Sequence, residues 1–184
     1  MKNITKEDIL ISAAKLVEQK GMKQVTLSDV GNNLGISHAA LYKHFNNKQD
    51  LWTSLALKWL DGILQNLFPF KTTSKANKSE IAHAWLWTLA QDKMIANHDD
   101  PKMFELYTNY IDNNAEVLGQ HMDDLTNSLQ LALSTTDTQH VTSLIQAFIV
   151  FSAPSFSNTW NEDTKKNFES IWELIEPGVH KIIK

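Results

Sequence analysis

Seven side chains between Thr26 and Lys48 could meet a polyanion: the hydroxyls of Thr26, Ser37 and Tyr42, the imidazoles of His38 and His44, and the ammonium groups of Lys43 and Lys48. Hydroxyl and imidazole N–H groups donate to phosphate oxygens, and an ammonium group meets them as a point charge. Thr26, Tyr42, His44 and Lys48 suit phosphate by this chemistry. Reading of base edges falls to Ser37, His38, Ala39, Ala40 and Lys43, because the first residues of a helix laid in the major groove are the ones that reach them. His38 can donate to N7 or O6 of guanine, and the methyl of Ala39 suits the thymine methyl. Two plainer roles compete with these: Thr26 as a helix cap and Tyr42 packed against the first helix.

Such contacts need two short helices joined by a tight turn, and the spacing provides them. Ile9, Ala13, Leu16 and Val17 define a first amphipathic helix, closed by Lys20-Gly21. Thr26 caps a second, with Asp29 as its capping-box partner and Leu27, Val30 and Leu34 along the buried edge. Gly35 ends that helix and Ile36 plugs the corner. Ser37 then caps a third helix with Ala40, Leu41 and Phe45 inward, leaving His38, Ala39, Tyr42 and Lys43 outward. A long fourth helix is expected from about Asn47 through Leu51, Leu55, Trp59, Ile63 and Leu67, until Phe68-Pro69-Phe70 breaks it.

Charge divides along the chain in the same place. The overall net charge is -4, but residues 1–48 carry seven Lys against Glu7, Asp8, Glu18 and Asp29, a net of +3, which leaves -7 on the rest. A basic front and an acidic remainder are expected if only the front meets phosphate. Lys6, Lys20 and Lys23 are expected to be solvated charge. All 17 basic residues are Lys, so the Arg fork on guanine is missing. Modest discrimination per contact, readout of DNA shape and a steep salt dependence follow.

The remaining chain is helical by its apolar spacing. Lys71 to Lys78 is a polar loop, Ser79-Glu80 opens a fifth helix, and Asp100-Pro101 restarts the chain as cap and first residue of a sixth. A seventh runs from Val117 to Leu133. The eighth, from about Thr138 to Ser152, is apolar over most of its circumference and so expected to be buried on more than one side. The last runs from Asp163 to Ile183, with Pro177-Gly178 expected to kink or break it. The fold class is therefore all-α with about nine helices: a three-helix helix-turn-helix domain over residues 1–48, and a helical domain over residues 49–184.

There are no cysteines, which excludes disulfides and thiolate chemistry. The seven His are scattered without metal spacing; His98-Asp99-Asp100 could hold a cation, but Asp100 as a helix cap explains it better. No serine elbow, phosphate loop or nucleotide fingerprint is present, so neither an enzyme nor a cofactor is expected. No apolar run reaches the ~18 residues of a membrane span and the N-terminus is too polar for a signal peptide, so a cytoplasmic protein without membrane contact is expected.

The first third of the chain resembles the DNA-binding domain of the TetR family of bacterial transcriptional regulators. The likeness rests on Thr26-x-x-Asp29-Val30, then Leu34-Gly35-Ile36-Ser37, then Leu41-Tyr42-x-His44-Phe45-x-x-Lys48-x-x-Leu51. Gly31 and Asn32-Asn33 depart from the small and acidic residues common there. The DNA-binding domain then extends over about residues 4–64, taking in the start of the fourth helix. Around Phe151 to Trp172, Ala153-Pro154 and Trp172 fall as in the dimerisation region of AcrR-like members.

The resemblance implies a homodimer whose first three helices bind a palindromic double-stranded operator, with Tyr42, His44 and Lys48 at phosphate-contacting positions. It implies a C-terminal domain that dimerises and encloses a small-molecule inducer. Candidates for the dimer contact are Leu144, Phe148, Phe151, Phe168 and Trp172. Candidates to line the inducer pocket are Trp59, Ile63, Trp85, Leu89, Met94, His98, Phe104, Tyr107, Tyr110 and Ile111, an apolar and aromatic set that also reads as plain core. Tyr107, Trp85 and His98 would be its polar handles. The alternative is a constitutive dimeric DNA-binding or protein-interaction module with no ligand.

Overall fold

The computed structural model describes residues 4–72 and 76–183. The described residues form nine α-helices, joined by short 3-10 and π turns, with no strand beyond an isolated antiparallel bridge between Leu67 and Phe70. None of these helices is long and apolar enough to cross a membrane. Of the expected loop from Lys71 to Lys78, residues 73–75 lie outside the described part. By contacts the chain divides into two compact units, which run across the expected division at residue 48: the chain up to Gly62 together with Asp100–Val117, and Ile63–Asp99 together with the chain from Leu118 onward.

In the first unit, helix α1 (Lys6–Lys20) starts at a capping box. Thr5 Oγ1 accepts from the Asp8 amide at 3.1 Å, and the Asp8 carboxylate accepts from the Thr5 amide at 2.9 Å. Ile9, Ala13, Leu16 and Val17 are all buried, as their spacing predicts. Gly21 ends the helix at a φ of 78°, where a side chain would be strained. Helix α2 (Leu27–Leu34) repeats the device with Thr26 and Asp29, and Gly35 closes it in the left-handed conformation. Helix α3 (His38–Leu41) is capped by the Ser37 hydroxyl, and α4 (Lys48–Ile63) follows. Helix α6 (Pro101–Tyr107), capped by Asp100, packs on α1 and continues into a π turn over Thr108–Asp112.

The second unit holds α5 (Lys78–Asp99), most of α7 (Ala115–Leu133), α8 (Thr138–Ala147) and α9 (Thr164–Ile182). Its core is aromatic. Phe168 of α9 meets Phe148 after α8 at 4.9 Å and Trp87 of α5 at 5.0 Å between ring centroids. His83 of α5 meets Trp172 at 5.1 Å. A second anchor is polar: the Trp85 indole N–H donates to Ser128 Oγ at 3.1 Å, and that hydroxyl donates to the Leu67 carbonyl at 2.5 Å.

Four expectations from periodicity need correction. The third helix stops at Leu41, and residues 42–45 continue it only as turns, among them His44 N–H to the Leu41 carbonyl at 2.9 Å. The fourth helix ends at Ile63 and not Leu67. Pro69 has no N–H to continue the ladder, and the last turn tightens to Phe68 N–H on the Gln65 carbonyl at 3.4 Å. The eighth ends at Ala147 and passes into a 3-10 turn over Ile149–Phe151; Ser143, Gln146 and Ala147 are exposed, so it is not buried all round. The last helix runs unbroken through Pro177. Glu173 and Pro177 both lie on its exposed face, where water can satisfy the carbonyl that the proline leaves without a donor.

Candidate nucleic-acid interface

The helix-turn-helix is held from below by α1. Asn33 Nδ2 of α2 donates to Ser12 Oγ of α1 at 2.8 Å, and Lys20 stands 3.7 Å from the Asp29 carboxylate. The Thr26 hydroxyl and amide both donate to that carboxylate, and with Lys20 beside it they hold it below the usual range. Between the two helices Gly31 has a steric role. A Cβ at this position would stand 3.1 Å from the Ile36 carbonyl oxygen and 3.5 Å from Leu41, so the missing side chain lets the turn and α3 close onto α2.

On this base α3 presents a narrow face. Ser37, His38, Ala39, Tyr42 and Lys43 are exposed, Ala40 is half-buried, and Leu41 and Phe45 are buried beneath them. The Ser37 hydroxyl accepts from the Ala40 amide at 3.2 Å, which fixes where the helix begins. The Tyr42 ring, 45% exposed, stands edge-on to His38 with centroids 5.0 Å apart, so neither side chain sets its direction alone. His44 is half-buried. Lys48 is the exposed first residue of α4, whose N-terminus is capped by Asn47 accepting from the Asp50 amide at 2.9 Å. Ammonium and helix N-terminus there offer positive potential together.

The Thr26 hydroxyl is already engaged: it donates to Asp29 Oδ2 at 2.7 Å and accepts from the Asp29 amide at 3.1 Å. It acts as the cap, and a phosphate would have to compete with a carboxylate for its proton. The lysines expected to be mere solvated charge have partners. Lys20 pairs with Asp29, Lys23 of the 3-10 turn after α1 pairs with Glu105 of α6 at 3.0 Å, and Lys6 lies 4.9 Å over the Phe45 ring.

The inducer candidates fall into both compact units. Trp59, Phe104 and Tyr107 form one cluster in the first, with Phe104 and Tyr107 rings 5.6 Å apart and Trp59 6.4 and 6.3 Å from them. Ile111 is buried beside them in sequence and Tyr110 half-buried, and burial raises the pKa of both tyrosines. In the second unit Trp85 and Leu89 are buried, while Ile63 and Met94 are half-buried. The Trp85 N–H is spent on Ser128 and is no free handle. His98 is not an interior handle either: its side chain is 89% exposed and pairs with Asp99 at 2.8 Å. Asp100 caps α6 by accepting from the Met103 amide at 3.2 Å. Among the described residues no cluster of three or more His, Asp or Glu could hold a metal ion.

The dimer candidates Leu144, Phe148, Phe151, Phe168 and Trp172 are all buried within the second unit, where each serves its own chain's core. The exposed apolar side chains near them are Leu174 and Ile182 of α9 and Phe156. A groove between α8 and α9 is lined by Leu144, Ala147, Ile175, Val179 and Ile182.

Residues 9–55, which span α1 to the middle of α4, match the family model described as bacterial regulatory proteins, tetR family. The front of the chain thus carries a tetR-type segment that takes in the helix-turn-helix. Solved structures extend the fold likeness over nearly the whole chain. BioQ in complex with its natural double-stranded DNA operator is 17% identical, with a TM-score of 0.55 over 95% of this chain and 99% of that one. The repressor AlkX from Dietzia sp. strain DQ12-45-1b, implicated in n-alkane biodegradation, is 17% identical with a TM-score of 0.64 over 98% of each chain. ActR of Streptomyces coelicolor, in complex with (S)-DNPA, is 16% identical with a TM-score of 0.58 over 98% of this chain and 99% of that one.

Proposed function

We propose that this chain is a repressor that binds a palindromic operator as a homodimer and releases it when a small apolar or aromatic molecule occupies its helical C-terminal part. The observation that carries the DNA reading is the exposed face of α3, His38, Ala39, Tyr42 and Lys43, held by the Ser37 cap, with Lys48 at the start of α4. Ser37, His38, Ala39, Ala40 and Lys43 read base edges; Tyr42, His44, Lys48 and the Thr26 turn hold phosphates. BioQ supports the operator and ActR the ligand, since each was crystallised with one.

Release follows if the ligand prefers a form in which α4 is tilted. The two recognition helices of the dimer then leave the spacing of about 34–36 Å that successive major grooves require. A ligand moves the equilibrium only by the difference between its affinities for the two forms.

Mobility-shift titrations of the operator next to the gene test the DNA half. Tyr42→Ala and Lys48→Ala should each weaken binding across sequences, and Lys48→Ala should flatten the log-log salt dependence by about one unit. Undiminished affinity in both variants overturns the assignment of these contacts.

A further inference from the structure

The lysines of the first unit sort by what holds them. Lys20 pairs with Asp29, Lys23 with Glu105 and Lys58 with Glu7, while Lys102 donates to the Glu18 carbonyl. Among the described residues of this unit, Lys6, Lys15, Lys43 and Lys48 form no ion pair. Lys43 and Lys48 are the two already placed against DNA. Lys6 joins them by its position.

Lys6 is the exposed first residue of α1, and its ammonium group lies 4.9 Å from the centroid of the Phe45 ring. Phe45 follows His44 directly and precedes Lys48 by three residues, a span of at most ~11 Å. The Lys6 ammonium group thus borders the patch that holds His44 and Lys48, and it is brought there by α1 and not by the helix-turn-helix. The acids next to it in sequence are occupied. Glu7 pairs with Lys58, and the Asp8 carboxylate accepts from the Thr5 amide at 2.9 Å and from the Thr5 hydroxyl at 2.8 Å. Phe45 is buried and offers Lys6 a ring face, which attracts a cation without neutralising it. The charge stays available to an anion, and a side chain already held loses less rotamer freedom when it binds one.

We propose that Lys6, held over Phe45, is a further phosphate contact, so that the DNA-binding surface takes in the start of α1 as well as α3 and the start of α4. One strand of a duplex carries a phosphate for each ~3.4 Å of axis, close enough for Lys6 and Lys48 to engage phosphates of the same strand together. Such a contact adds affinity and fixes register without reading sequence. The assignment rests on the DNA reading proposed above, and it gives Lys6 a partner in place of the solvent expected for it.

Fluorescence anisotropy of a labelled duplex carrying the operator next to the gene, titrated with the full chain at ~50–200 mM salt, tests the assignment. Lys6→Gln should flatten the log-log salt dependence by about one unit for each subunit bound and weaken a scrambled duplex in the same proportion. Lys6→Arg, which keeps the charge, should restore both. Lys15→Gln removes the same charge ~14 Å further along α1 and should keep the wild-type slope. Loss of the ring contact alone would lower the melting temperature without DNA and leave the slope unchanged. If Lys6→Gln does not fold, Lys6→Met, whose thioether still packs on the ring, takes its place. The proposal is overturned by a wild-type slope in the folded variant, by equal flattening in Lys15→Gln, or by failure of Lys6→Arg to restore the slope. In each of these the wild type still binds, so the repressor reading stays in place. A wild-type chain with no affinity for the duplex overturns both.

Discussion

Mild acid should destabilise this protein through His121. The ring is buried in α7, and burial first, the nearby Lys93 ammonium second, push its pKa down to about 3. In the unfolded chain an imidazole titrates near 6.5. The unfolded state therefore takes up the proton first, so stability is full above about pH 6.5 and is lost as the pH falls from there towards 3. The slope approaches ~1.4 kcal/mol per pH unit, and at pH ~5 the loss reaches about 2 kcal/mol. With a urea dependence of about 2 kcal/mol per molar, the midpoint should drop by about 1 M. Urea unfolding of the wild type and of His121→Gln at pH ~7.5, ~6 and ~5 isolates the effect, because every other group titrates alike in both. The wild type should lose about 2 kcal/mol more than the variant over that range; parallel curves would refute the reasoning.

Two further outcomes rest on packing. Gly31→Val should destabilise the chain by about 1–3 kcal/mol in denaturant unfolding, because the new side chain meets the Ile36 carbonyl and Leu41 at the closest approach of α2 and α3. A wild-type midpoint in that variant would show that the turn gives way freely. Ser128→Ala should cost about 2–4 kcal/mol, since it strands both the Trp85 N–H and the Leu67 carbonyl. A loss below about 0.5 kcal/mol in calorimetry would mean that neither group depends on that hydroxyl.

What could be read from residue order alone was whatever the chain decides within a few residues. Thr26 with Asp29, Gly35, Ser37 and Asp100-Pro101 are capping devices whose donors and acceptors lie within four positions, and each is found where the spacing places it. Exposure of Tyr42 and Lys43 follows from the same short-range geometry. The misses are long-range. The turn after α4 is held at Leu67 by Ser128, 61 residues away. Phe148, Phe168 and Trp172 look equally apolar whatever they face, and only the fold shows Phe168 and Trp172 edge-on to rings of α5 and Phe148 against Phe168.

The placement of α6 bears on how this protein can be taken apart. Lys102 reaches the Glu18 carbonyl, Lys23 pairs with Glu105, and the Phe104 and Tyr107 rings pack against Trp59 of α4. The unit that carries α3 is thus assembled from two stretches of chain, up to Gly62 and over Asp100–Val117. A fragment cut after Gly62 would carry an uncovered face on α1 and α4. A hybrid protein that borrows the helix-turn-helix should graft residues 100–117 along with the first 62, or it inherits the front helices without their backing plate.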